Sequence, residues 1–122
     1  MQVIEVLKSS IFEELGGAQS EETQGRFKTA LILYSKAVFS ICDYIIAANN
    51  LKLPNDHGER FKILDRYFPF VYRTVSKVFH KYVETYLKPS DKESCEGVKH
   101  ALRELGNVEK LDQDIKAALA KV

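Results

Sequence analysis

The sequence predicts an all-α protein, an up-and-down helical bundle of four main helices plus short helices. Two observations carry this. Every apolar period lies near 3.6 residues with no strand-like alternation, and every segment boundary carries a helix cap or a breaker. The length of 122 residues suits one domain spanning 1–122.

The elements follow in order. Val3, Ile4, Leu7, Ile11 and Leu15 recur at helical spacing, and Gly16-Gly17 is expected to stop this N-terminal helix, over 1–16. Ser20 can cap the next helix, which runs without a breaker to about Asn50. Phe27, Ala30, Leu31, Tyr34, Ala37, Val38, Ile41, Ile45 and Ala48 line one face of it. Leu33, Phe39 and Ile46 widen that face, so this helix belongs at the bundle centre. After a turn at Pro54, Asp56 and Glu59 form a capping box for a short third helix.

Pro69 suits the first turn of a fourth helix, which reaches Leu87. Its aromatic stripe, Tyr72, Val75, Phe79, Tyr82 and Tyr86, is read as core, with Val75, Phe79 and Tyr82 buried against Tyr34 and Ile41. Ser90 and Glu93 form a second capping box for a fifth helix striped by Cys95, Val98, Leu102 and Leu105. Asn107 caps a narrow C-terminal helix over 107–121, which docks on the bundle or on another copy.

Composition narrows the function classes. Hydrophobic residues make up 45% and charged residues 29% of the chain, which argues against disorder. A net charge of +1 gives no general attraction for nucleic acid or anionic membrane, so a polyanion must meet a local patch. No apolar run approaches the ~18 residues of a membrane span, and Met1 to Lys8 is unlike a secretory leader, so the expected location is cytoplasmic. Cys42 and Cys95 match no metal or redox spacing and read as buried thiols, and no cofactor is implied.

The order of parts is familiar. A long helix carries Ala30, Leu33, Tyr34, Ala37 and Tyr44. A Pro-containing turn with His57 follows, then Phe61 and Leu64, an aromatic helix ending Tyr82-Val83-Glu84-Thr85-Tyr86, and a capped helix from Ser90 to Leu105. Over about 22–105 this resembles the HEPN family of small helical bundles. The resemblance implies a bundle that is commonly a homodimer, often encoded beside a nucleotidyltransferase-type partner in toxin–antitoxin pairs. Family members that act as metal-independent ribonucleases carry an Arg and a His at short spacing, usually with Asn, Asp or His after the Arg, and two such motifs of a dimer share one cleft.

Arg73 and His80 match that spacing, with Thr74 after the arginine. At 100° per residue Arg73, Lys77, His80 and Glu84 share the surface opposite the aromatic stripe. In a catalytic reading His80 is the acid or base, and Arg73 stabilises the phosphorane formed when a ribose 2′-hydroxyl attacks its own phosphate. The other reading is a solvated face laced by charges.

Arg60, Arg66, Arg73, Lys77 and Lys81 make residues 60–81 locally basic, the place where RNA or a nucleotide would touch. His57 is a further candidate for contacting a phosphate or a partner chain. The aromatics also resemble a base-stacking platform, and His100 has no assigned role.

Three functions are expected in order. The first is a non-catalytic binding or regulatory module, a homodimer that pairs with a nucleotidyltransferase-type or other protein. The second is a metal-independent ribonuclease using Arg73 and His80. The third is a helical peptide-binding module, from Ala30, Tyr34 and Ala37. No other enzyme motif is present.

Overall fold

The computed structural model describes residues 2–122, with Met1, the first residue of the expected N-terminal helix, outside them. Helix makes up 76% of the structure, in six segments, and no strand occurs among the described residues. The four long segments are α1 (Val3–Thr23), α2 (Phe27–Ala48), α4 (Pro69–Glu84) and α5 (Lys92–Leu105). The short ones are α3 (His57–Tyr67) and α6 (Gln113–Ala120).

Gly16 and Gly17 do not stop the first helix, which continues through them to Thr23. A glycine inside a helix costs about 1 kcal/mol relative to alanine. Gly17 offsets that by letting α1 lie close to α2, since a Cβ there would stand 3.2 Å from Leu33 Cδ1. The real stop is Gly25, at φ +77. Its N–H donates to Glu22 O at 3.0 Å and that of Arg26 to Glu21 O at 2.9 Å, a Schellman motif. Ser20 therefore sits in the last turn of α1 and caps nothing.

Lengthening α1 places Glu22 where three helices meet. The buried Tyr34 hydroxyl of α2 donates to it at 2.7 Å, and Lys99 Nζ of α5 donates at 3.1 Å. Burial first, and then the neighbouring carboxylate, push the Tyr34 hydroxyl well above the ordinary tyrosine range.

α2 is the bundle's central helix, with Ala30, Leu31, Tyr34, Ala37, Val38, Ile41, Ile45 and Ile46 all buried. It is also the exception to the expected absence of a membrane-length segment. Its length and composition would allow a crossing, but 67% of the apolar window is buried in the bundle, as in the core helix of a soluble protein.

Asp56 caps α3 by accepting the Glu59 N–H at 2.8 Å, and Pro69 stands at the start of α4. Of the expected stripe of α4, Val75 is fully buried but the rings are not. Val71, Thr74, Val75 and Val78 are buried, Phe79 and Tyr82 are only half-buried, and Tyr86 is 72% exposed. Small β-branched residues face the core and let α4 approach closely, while the rings, offset by one position or about 100°, lie sideways on α3 and the edge of α2.

Asp91, rather than Ser90, caps α5, accepting the Ser94 N–H at 2.8 Å and the Ser94 hydroxyl at 2.9 Å. Asn107 likewise caps nothing. The chain turns until Asp112 accepts the amides of Asp114 and Ile115 at the start of α6. Lys8 of α1 reaches Asp112 at 3.1 Å and Asp114 at 2.9 Å, and Leu111, Ile115 and Leu119 are buried, so the tail docks on its own bundle.

Candidate functional site

The outward face of α4 carries Arg73, Lys77 and His80, all exposed. They differ in their commitments. His80 Nε2 lies 3.0 Å from Glu84, whose other oxygen takes Lys88 Nζ at 2.8 Å. The hydrogen bond from Lys88 holds the Glu84 carboxyl below its usual range. Arg73 and Lys77 enter no ion pair among the described residues.

α4 and α5 run antiparallel, which sets Lys81 along Gly97 and the first half of α4 against the second half of α5. Between those halves lies a groove of about 300 Å³ lined by Phe70, Arg73, Thr74, Lys77, His100, Ala101 and Glu104. Buried Thr74 and Ala101 form its floor, and the Thr74 hydroxyl is already spent on Phe70 O at 3.0 Å. Its walls are cations on the α4 side and, on the α5 side, His100 with Nε2 2.7 Å from Glu104.

His80 does not line this groove. Seven positions on one helix separate it from Arg73 by about 10.5 Å along the axis. The imidazole that the fold brings opposite Arg73 is His100, the histidine without a role in the sequence. A His and a Glu four apart on an exposed helix face were legible; their position opposite Arg73 depends on tertiary packing.

A second cluster forms where α3 meets α2 and α4. Arg60 grips Asp43 with two hydrogen bonds, 2.8 and 3.1 Å, the side chains being only 12% and 18% exposed. A third donor of Arg60 lies 2.7 Å from His57 Nδ1. Arginine can only donate, so Nδ1 is the acceptor and the imidazole is neutral with its proton on Nε2. The ring is wedged among Phe39 and Phe79, at 4.7 and 4.9 Å between centroids, with Phe61 and Tyr82 beyond. Burial first, and then the Arg60 charge, hold His57 below the usual histidine range.

The basic stretch expected over 60–81 is thus divided. Arg60 is consumed internally, Lys81 is half-buried along Gly97, and exposed Arg66 lies over the Tyr67 ring at 5.4 Å. Arg73 and Lys77 join in the α4–α5 groove, while Lys81 lines a separate, much smaller hollow with Glu84 and Lys88. Cys42 and Cys95 are buried free thiols, both pushed up by burial, Cys95 to about 11. Among the described residues no three His, Cys, Asp or Glu side chains gather to hold a metal. Compared with protein-family models, curated proteins and solved structures, the chain shows no significant match to any.

Proposed function

We propose that this chain is a HEPN-like binding module of the cytoplasm that acts as a homodimer and docks a protein partner, without cutting RNA itself. The observation that carries the reading is the apolar end of α4. Val83, in the last turn of α4, is 40% exposed, and Tyr86 and Leu87, in the turn just beyond it, are 72% and 82% exposed. Surfaces of this kind are typically covered in an assembly. His80 stands next to them, held by Glu84, so a contact there brings the two α4 faces together at their C-terminal ends. The resemblance over 22–105 adds the type of partner, a nucleotidyltransferase-like protein.

Sedimentation at micromolar concentration tests the dimer. The natural chain is expected at twice its monomer mass, and a Tyr86→Glu, Leu87→Glu variant at monomer mass with its helical signal intact. A monomeric natural chain would remove the reading. RNA incubated with the dimer in chelator is expected to stay whole, since His80 is 80% exposed and nothing apolar encloses it to tune its proton transfer. Cleavage that His80→Ala abolishes would make Arg73 and His80 a ribonuclease pair instead.

A further inference from the structure

We propose that the α4–α5 groove is a binding site for a small phosphomonoester, with Arg73 and Lys77 holding the phosphate and Phe70 lying along the organic part. The site is separate from the apolar end of α4, so it does not depend on the dimer.

Three features converge on this ligand. The groove's volume, about 300 Å³, is at the low end of small-molecule sites. Arg73 and Lys77, one helical turn apart, are its two cations that enter no ion pair among the described residues, and two charged donors suit a phosphate dianion. Phe70, 42% exposed, offers a ring at the first turn of α4, whose N-terminus has no side-chain cap and presents the positive end of the helix dipole.

Two further features favour a single phosphate over a nucleic-acid backbone. Glu104 stands in the groove opposite the cations, bonded to His100, so the positive charge covers one wall of the groove and does not line it throughout. Further along α4 Lys81 lies half-buried along Gly97, and Glu84 takes both His80 and Lys88, so the exposed free cations on this stretch are Arg73 and Lys77. Two adjacent free cations form a spot, where a strand of phosphates needs a rail.

The experiment titrates the ¹⁵N-labelled full chain with phenyl phosphate, inorganic phosphate and a single-stranded hexaribonucleotide, following amide shifts. Phenyl phosphate is expected to saturate at millimolar concentration or below, with shifts confined to residues 70–77 and 100–104. Phe70→Ala should reduce phenyl phosphate binding to the level of inorganic phosphate. Arg73→Gln and Lys77→Gln should each weaken it about tenfold, the worth of one charge-assisted hydrogen bond, and Glu104→Gln should tighten it. All four side chains lie on the surface, and helical circular dichroism confirms that each variant folds. Absence of saturation by phenyl phosphate, or equal binding by Arg73→Gln, overturns the site. Tighter, salt-dependent binding of the hexaribonucleotide across the same residues overturns it in favour of a nucleic-acid surface.

Discussion

The corner where α3 meets α2 and the groove between α4 and α5 contain the same types of residue, a histidine, an arginine, a carboxylate and aromatic rings, arranged to opposite effect. At the corner Arg60 spends its donors on Asp43 and His57, and rings cover the imidazole. In the groove Arg73 and Lys77 enter no ion pair among the described residues, and the ring of Phe70 stands in the open. Residue type therefore does not separate a structural cluster from a candidate ligand site here. Burial and unspent hydrogen-bond donors do. Substitutions at the corner should cost stability, and substitutions in the groove should cost only binding.

The largest effect is expected at Asp43. Asp43→Asn removes the charge that neutralises a guanidinium only 12% exposed, and breaking such a pair costs about 3 kcal/mol. Urea unfolding measures it, and a loss under about 1 kcal/mol would place the pair with ordinary surface ion pairs. Next comes Phe79→Ala. Phe79 packs on His57, Phe61 and Phe39 but is half-buried, so the expected loss is about 2 kcal/mol, below the 3–5 kcal/mol of a fully buried phenylalanine. In a Tyr86→Glu monomer Leu87→Ala, at 82% exposure, should change stability by less than about 0.5 kcal/mol.

The corner also gives the fold a pH dependence. His57 titrates below its unfolded value in the fold, so the unfolded chain binds the proton more readily. The stability this contributes is full above the unfolded value of about 6.5 and is lost as pH falls below it toward the folded value. The groups facing the ring are Arg60 and Asp56 from α3 and its cap, Asp43 from α2, and the Tyr82 phenol from α4. Thermal melts at pH 7.5 and pH 5.5 should differ less for His57→Gln than for the natural chain. The size must stay under the limit of about 1.4 kcal/mol per pH unit set by one proton. Equal pH dependence in both proteins would mean that solvent reaches the ring freely.

Local chemistry explains which elements were legible. Asp56 and Pro69 mark the starts of α3 and α4 because a cap and a fixed φ act within a few residues. The failures lie where tertiary contact overrides a local signal. Gly16-Gly17 reads as a stop, yet Gly17 is spent on the approach to Leu33, and Gly25 supplies the left-handed turn. The stripe of α4 reads as core by hydrophobicity; its Val75 is buried, with Val71 and Val78 beside it, while its rings lie against α3 and the edge of α2. Arg73 was singled out by the Arg–His spacing of the family it resembles and by the basic stretch over 60–81. His100 was missed because its partner surface is on another helix, placed by the antiparallel packing of α4 and α5.

The smallest effect is the most discriminating. Arg73 and Lys77 are like charges four apart on one helix, a spacing that destabilises by about 0.2–0.5 kcal/mol when nothing neutralises it. Lys77→Gln removes that repulsion and no contact of its own, so it should leave the protein as stable or slightly more stable. A purely structural cation would show the reverse, a loss on removal, as expected for Arg60. Adding phenyl phosphate should then reverse the order. The natural chain gains stability from a ligand that binds only the folded state, by an amount that grows with ligand concentration over its dissociation constant, and Lys77→Gln gains little. Melts of the two proteins with and without 10 mM phenyl phosphate, roughly the range where a millimolar site fills, make the comparison. If the two curves move in parallel, Lys77 is a solvated charge, and the groove differs from the α3 corner only in being exposed.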